Sequence, residues 1–451
     1  MNIIIVGCGK VGASLAERLS AEGHDLVMVD ISAKKVEELS NKYDLMGIVG
    51  NGASFAVQQE AGVENADLFI AVTAADELNL LCCLMAKKGG CATIARVRNP
   101  MYMNEIGFIR EQLGISMIIN PELTAAREIT KLLKFPSAIK IDTFAKGRVE
   151  LLRFRLKPEI GFGGKSIMEI MSRMKSEVLI CAVERDNEVI IPNGSFVLQD
   201  SDILSIVGSL ENTAQFFEKI GVRSKKVRNS LIIGGGTVAH YLAKDLLKVG
   251  FRVRIIERDP ARCNYLNEVL PGADIINGDG SDEGLLMEEG LTYADSVVSL
   301  TGLDEENIFL SLFAKKHSNA KLIAKVNKIA FHDVVDSLDI DSVIYPKYLT
   351  ADYILKYIRA RQNSIGSNVE TLYKLFDGRA EALEFSIKEV SEVTDTSLMH
   401  LNLKSNLLIC AINRKGHILT PRGHHMLKVG DTVIVVTTNR GLNDIRDILN
   451  R

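Results

Sequence analysis

The stretch IIIVGCGKVGASLAERLSAEGHDLVMVD, Ile3 to Asp30, decides the fold. An apolar run leads into Gly7-Cys8-Gly9-Lys10-Val11-Gly12, a segment of helical period follows, and a second apolar run closes on an acid. In that strand–turn–helix–strand context each glycine has a physical job. The first permits a tight turn, the second lets a pyrophosphate approach the backbone, and the third allows the helix to pack close to the strand. The helix N-terminus offers amide donors and the positive end of its dipole to a phosphate. Asp30, eighteen residues past Gly12, is placed to accept hydrogen bonds from ribose hydroxyls and to repel a 2′-phosphate. NAD-type ligands are therefore expected over NADP, and ATP, ADP and AMP present the same ribose.

The same stretch returns as LIIGGGTVAHYLAKDLLKVGFRVRIIE, Leu231 to Glu257, with Gly7 pairing with Gly234 at an offset of 227. The correspondence continues at nearly constant offset: Asp30 with Glu257, Gly50 and Gly52 with Gly278 and Gly280, Thr73 with Thr301, Asp76 and Asn79 with Asp304 and Asn307. Further on, VLICAVERDNEVIIPNG (Val178 to Gly194) matches LLICAINRKGHILTPRG (Leu407 to Gly423), with Cys181 and Cys410 offset by 229. A period this long is the duplication of a whole unit, not a solenoid array.

Within each half, about 130 residues alternate short apolar strands with amphipathic helices, the pattern of a parallel sheet covered on both faces. Strands are expected at Asn2 to Val6, Asp25 to Val29, Leu45 to Val49, Leu68 to Val72 and Thr93 to Val97, with helices beginning near Lys10, Ala33, Phe55 and Asp76. Helices after Pro121 and Pro346 lead out of each Rossmann fold. The remainder of each half changes to short strands between Gly, Pro, Asn and Asp turns, such as Asp200-Ser201-Asp202 and Val429-Gly430-Asp431. The expected fold is α/β: two Rossmann-like doubly wound sheets (1–135 and 228–361), each followed by a small α+β domain (138–222 and 369–451), with linkers near 135–137, 223–229 and 362–368.

Composition narrows the function. The 54 Lys plus Arg balance 57 Asp plus Glu for a net charge of −3, with no strong basic run to track phosphates, so nucleic acid is not an expected partner. The longest apolar runs fall well short of the roughly 20 residues that span a bilayer. The N-terminus leads straight into the glycine loop and is expected to carry no secretion signal. Seven cysteines without CxxC or zinc-finger spacing read as buried thiols of a reducing compartment, including Cys8 inside the loop.

The expected first site comprises Gly7, Cys8, Gly9, Lys10, Val11, Asp30, Asn51, Gly52, Thr73, Ala74 and Arg98, and the second Gly234, Gly235, Gly236, Thr237, Val238, Glu257, Asp279, Gly280 and Thr301. Asn51-Gly52 and Asp279-Gly280 follow the third strands, where small residues would let the loop approach the adenosine. Thr73-Ala74 and Thr301 follow the fourth strands, at the carboxyl edge where ligands of open α/β sheets lie. Arg98 ends the fifth strand within reach of a phosphate, whereas its counterpart Asn327 is uncharged, so the halves are expected to differ in ligand preference. Asp76, Glu77, Asp304 and Glu305 read as helix N-caps and dipole partners. His240 reads as a plain helix-surface residue, and His424-His425 as a turn instead of a metal site. No catalytic residue and no metal ligand is assigned.

These residues carry a resemblance to a known family. GCGKVG with Asp30, the Ala71-Val72-Thr73 and Asp76-Glu77-x-Asn79 segments, ARVRNP (Ala95 to Pro100), IIGGGTVAHYLAKDL, IIERD, NGDGSD and TGLDEENI closely resemble the TrkA family of regulatory subunits of Trk-type potassium uptake systems, built of tandem RCK (regulator of conductance of K+) units. The resemblance covers essentially the whole chain. It implies that NAD(H), or ATP and ADP, bind the Rossmann lobes and regulate ion flux without turnover. It also implies a cytoplasmic protein whose four chains form a ring on the inner face of the membrane, beneath a partner similar to TrkH. Two other classes, an NAD-dependent oxidoreductase and a free-standing nucleotide sensor, stand beside that expectation.

Overall fold

The computed structural model describes residues 1–136, 138–144, 148–174, 176–220, 227–327, 335, 338, 340–363 and 369–450. Parts of the expected linkers, 137, 223–226 and 364–368, lie outside the described residues. The chain divides into two compact units, Met1–Thr130 with Arg228–Leu355 and Lys131–Val227 with Lys356–Arg451.

The first unit holds both parallel sheets. In lobe 1 the elements run β1 (Asn2–Val6), α1 (Lys10–Ala21), β2 (Asp25–Asp30), α2 (Ala33–Tyr43), β3 (Met46–Val49), α3 (Phe55–Glu60), β4 (Leu68–Ala71), α4 (Asp76–Ala86), β5 (Ala92–Arg96), α5 (Pro100–Asn104), α6 (Ile106–Leu113), β6 (Met117–Ile119) and α7 (Pro121–Lys134). The strand order is β3-β2-β1-β4-β5-β6, all parallel, with the switch point between β1 and β4. Four of the five residues of β1 are buried, the continuous apolar run of a strand covered on both faces. On α1, Val11, Leu15 and Leu19 are buried at helical spacing, so one stripe of the helix faces the sheet. The sixth strand and helices α5 and α6 extend the lobe beyond the five strands read from the sequence. Three residues of β6 are too few for a period to show.

Lobe 2 repeats the order. It comprises β12 (Asn229–Ile233), α10 (Thr237–Lys248), β13 (Arg252–Glu257), α11 (Pro260–Val269), β14 (Ala273–Asn277), α12 (Glu283–Glu288), β15 (Ser296–Ser299), α13 (Asp304–His317), β16 (Lys321–Lys325), β17 (Ser342–Ile344) and α14 (Pro346–Asn363), with strand order β14-β13-β12-β15-β16-β17. One difference stands out. Helix α10 buries Val238 to Ala243 without a break, more than one face, because it packs on its own sheet and also against lobe 1. Across the same lobe contact, Arg18 of α1 pairs with Asp352 and lies 4.8 Å over the Tyr348 ring.

The second unit holds two antiparallel sheets. The first small domain has β7 (Lys140–Phe144), β8 (Val149–Arg155), α8 (Ile167–Met174), β9 (Leu179–Arg185), β10 (Glu188–Ile190), β11 (Ile203–Ser209) and α9 (Leu210–Lys219), in the order β10-β9-β11-β8-β7. The second has β18 (Val369–Leu375), β19 (Ala380–Ser386), β20 (Leu407–Arg414), β21 (His417–Leu419) and β22 (Thr432–Thr437), in the order β18-β19-β22-β20-β21. The turns read from the sequence have a shared cause. Arg185 grips buried Asp202 through two hydrogen bonds at 2.8 Å, and Arg414 grips buried Asp431 at 2.8 and 2.6 Å. Each acid also accepts the backbone amide three residues before it, Gln199 and Lys428. One core serves both sheets: Phe144, Leu151, Cys181 and Val207 pack with Phe376, Ala382, Cys410 and Val436.

Phe144 is fully buried in that core, with its ring 4.3 Å from Tyr373 of the other sheet. Phe144→Ala is expected to destabilise the second unit by about 3–5 kcal/mol, the usual cost of emptying an aromatic site. Urea unfolding followed by circular dichroism measures it, and a loss below about 1 kcal/mol would show that the two sheets do not share a core.

Candidate functional site

In both lobes the predicted residues gather at the carboxyl ends of the parallel strands, and the glycines there divide by function. Gly7 has φ +109°, and a Cβ on it would lie 2.9 Å from the Thr73 nitrogen and the Val72 carbonyl carbon. Gly234 repeats this with φ +98° and the same 2.9 Å approach to Leu300 and Thr301. These glycines let the loop lie against the end of the neighbouring strand. A Cβ on Gly12 would sit 1.9 Å from the Gly7 carbonyl oxygen. The second lobe carries the buried methyl of Ala239 at that position. Gly9 and Gly236 differ from all of these: nothing lies within 4 Å of a Cβ built on either. They are the N-caps of α1 and α10, and no side chain caps either helix. The protein therefore leaves open the position where a phosphate meets a helix N-terminus.

Asp30 and Glu257 hold the loops. Asp30 accepts the Cys8 amide at 2.7 Å and the Ser32 amide at 2.9 Å, and Glu257 accepts the amides of Gly235 at 2.7 Å and Asp259 at 2.9 Å. Each carboxylate ties the glycine loop to the following turn and keeps lone pairs for a ribose. Gly235 also sits close beneath its neighbours, since a Cβ would lie 2.7 Å from the Leu266 side chain and 3.0 Å from Glu257. Cys8 occupies the equivalent place in lobe 1. Burial, reinforced by Asp30, pushes its thiol up to about 12, so it stays protonated and lacks thiolate reactivity.

The loops after the third strands have packing reasons of their own for their small residues. Gly52 and Gly280 are glycine because of what lies beneath them: a Cβ would meet Val6 at 2.2 Å and Ile233 at 2.4 Å. Asn51 accepts the Ala53 amide, and Asp279 accepts the Ser281 amide and hydroxyl, so both side chains close their own turns. Those bonds hold the Asp279 carboxyl below its usual range.

At the fourth and fifth strand ends each lobe has a buried asparagine at the centre. Asn79 accepts the Thr73 amide at 2.7 Å and donates to the Arg96 carbonyl at 2.9 Å; Asn307 does the same with Thr301 at 2.8 Å and Lys325 at 2.9 Å. Asp76 and Asp304 are not the N-caps expected of them, because those places belong to Ala75 and Leu303. Asp76 instead accepts the Arg98 and Asn99 amides at 3.0 and 2.8 Å, and Asp304 accepts the Asn327 amide at 2.9 Å, pinning the fifth strand. Both acids still lie in the first helical turn, where the dipole favours them.

Arg98 donates to the Ala74 carbonyl at 2.7 Å and is half-exposed at the cleft. Asn327 instead bonds Asp304, as its lack of charge dictates. Reading Arg98 alone missed a cation that the halves share. Arg96 donates to the Thr73 carbonyl at 2.5 Å and Lys325 to the Leu300 carbonyl at 3.0 Å, and burial lowers the pKa of both. Arg262 was also missed; its Nε donates to the Gly235 carbonyl at 2.7 Å. Comparing the repeats a few positions past each aligned acid, Asp30 and Glu257, finds it opposite Lys35.

His240 is not on the surface. It is buried between Tyr241 and Tyr265, ring centroids 5.4 and 6.0 Å away, because α10 faces both α11 and lobe 1. Its buried Nδ1 has no hydrogen-bond partner among the described residues. Burial, with Arg262 and Lys244 adding repulsion, lowers its pKa to about 4. In the C-terminal domain His425 accepts the Arg422 amide at 3.0 Å through Nδ1, which closes a turn.

Family models describe the same organisation. The TrkA-N domain matches residues 3–121 and 230–346, and the TrkA-C domain matches 151–221 and 382–450. The chain is 32% identical over 99% of both chains to Trk system potassium uptake protein TrkA homolog 1 of Methanosarcina mazei. It is 30% identical to TrkA of Haemophilus influenzae, over 98% of this chain and 96% of that protein. Among solved structures, the GsuK channel bound to NAD superposes with a TM-score of 0.64 at 18% identity, covering 97% of this chain and 76% of that one. GsuK bound to ADP superposes with a TM-score of 0.51 at 16% identity, covering 80% and 69%.

The two kinds of glycine give a discriminating test. Gly7→Ala is expected to destabilise lobe 1 by roughly 1–3 kcal/mol or more, through left-handed strain and backbone collision. Gly9→Ala, at φ −75° in open space, should leave stability within about 0.5 kcal/mol and weaken nucleotide binding alone. Thermal unfolding with and without ADP separates them; equal destabilisation by both would contradict the assignment. His240 supplies a pH test. Its folded pKa lies below the ordinary 6.5, so the unfolded chain takes up a proton that the folded chain refuses. Its contribution is complete above about pH 6.5 and lost as the pH falls towards 4, on the order of 3 kcal/mol in all. His240→Phe should flatten unfolding midpoints over that window, and an unchanged slope would refute the burial argument.

Proposed function

The chain belongs to the TrkA family, with TrkA-N and TrkA-C domains in tandem, and on that premise we propose that it is a nucleotide-sensing regulatory subunit of a Trk-type potassium uptake system. The observation that carries the proposal is the pair of open N-caps, Gly9 and Gly236, each followed by an uncapped helix and each beside a carboxylate. An adenine dinucleotide or ADP-type ligand fits that arrangement: phosphates on the loop amides, ribose hydroxyls on Asp30 or Glu257. Those carboxylates disfavour a 2′-phosphate, so NAD(H), ATP and ADP are preferred to NADP. Arg98 adds a cation at the first cleft that Asn327 does not supply at the second, so the two clefts rank ligands differently. Structural relatives caught with NAD and with ADP support this range.

Among the described residues no helix is long and apolar enough to cross a membrane. Regulation of ion flux then requires a membrane partner, in our reading a TrkH-like subunit, with four chains in a ring on its cytoplasmic side. Nucleotide shifts the ring between conformations by its differential affinity for them, typically about 1–3 kcal/mol per site, and several sites add. The role is regulatory, without turnover of the nucleotide.

Potassium uptake by cells carrying Gly9→Val with Gly236→Val, compared with the unaltered chain, tests this. The variant is expected to fold and to lose nucleotide control of uptake. Uptake that responds to nucleotide as before, or steady oxidation of NADH by the purified chain, would overturn the proposal.

A further inference from the structure

Tyr241 has no counterpart in the first half, where the matching position is Ser14. It lies on α10, one turn beyond the second glycine loop, yet its side chain ends in lobe 1. The buried hydroxyl donates to the Arg98 carbonyl at 2.9 Å and accepts from Asn120 Nδ2 at 3.1 Å. Asn120 caps α7 by accepting the Leu123 amide at 2.8 Å. Arg98 is thus held from three sides: its amide by Asp76, its guanidinium by the Ala74 carbonyl, and its own carbonyl by the other lobe. Burial pushes the phenol up to about 12, so it remains a donor at any physiological pH.

On the lobe 2 side the contacts continue to the loop. Arg262 bonds the Gly235 carbonyl and lies 4.6 Å over Tyr265, whose ring stacks towards His240, which in turn meets Tyr241. We infer that Tyr241 is a positioning residue through which the second cleft acts on the first: a nucleotide at Gly234 to Val238 changes how the Arg98 strand end is held at the first cleft. The ligand class is the adenine nucleotide of the proposed function, and the inference rests on that reading. Helix α10 is a rigid lever, its N-terminus in one cleft and its fifth residue at the edge of the other. Linkage makes the coupling reciprocal.

Hydrogen exchange on the full chain with lobe 1 blocked by Gly9→Val tests this, using ADP as probe. ADP should protect residues 234–239 and also alter exchange of the Arg98 and Asn99 amides, at least about five-fold, the lower end of ordinary coupling between sites. Adding Tyr241→Phe, which keeps the ring and removes the hydroxyl, should preserve the protection at 234–239 and abolish the remote change. Asn120→Ala approaches the same contact from the other lobe and should do likewise if the phenylalanine variant does not fold. Protection at 234–239 with no change at Arg98, or a change that survives both substitutions, overturns the coupling and leaves nucleotide binding standing. No protection at 234–239 overturns both.

Discussion

A carboxylate at the end of a buried strand, bonded at 2.7 Å to an amide of the glycine loop, sets the geometry on which both lobes depend. Side-chain packing alone does little to hold the loop, because Cys8 is the one side chain between Gly7 and Gly9 and residues 234–236 are all glycine. Asp30 and Glu257 fix it from below, and Gly7 and Gly234 let it lie against the next strand. What remains is an uncapped helix end aimed at open space beside an anchored acid. A packing motif retained only for its turn would have no reason to leave both N-caps open.

The duplication shows which features are structural and which are free to diverge. Asn79 and Asn307, Asp76 and Asp304, Arg185–Asp202 and Arg414–Asp431 make the same bonds in both halves and hold strand ends and turns together. Divergence falls at the clefts and at the contact between lobes. Arg98 faces Asn327, Gly12 faces Ala239, and Ser14 and Ala13 face Tyr241 and His240. Two lobes that began alike now differ where a ligand would be ranked and where one lobe touches the other.

Much of this was legible in the sequence. The helix starts at Lys10, Ala33, Phe55 and Asp76 agree with the structure because apolar period and glycine spacing are local signals. The loop glycines and the two acids were legible for the same reason. Burial of His240 and Tyr241 was not, since it comes from a helix packed between two lobes, and one helix's pattern carries no information about its second neighbour. The packing reason for Gly52 and Gly280, the Val6 and Ile233 side chains beneath them, was not legible either, because it comes from strands far away in the sequence. Asp76 reads as a cap because acids at helix starts usually are, but its partner Arg98 lies just past the end of the fifth strand, 22 residues away.

On the proposed function each chain carries two adenine-nucleotide clefts of unequal character. Equilibrium dialysis of labelled ADP and labelled NADH against the full chain measures it most directly. Two binding sites per chain with different preferences between the ligands are predicted. No saturable binding, or two sites identical for both ligands, would contradict the account.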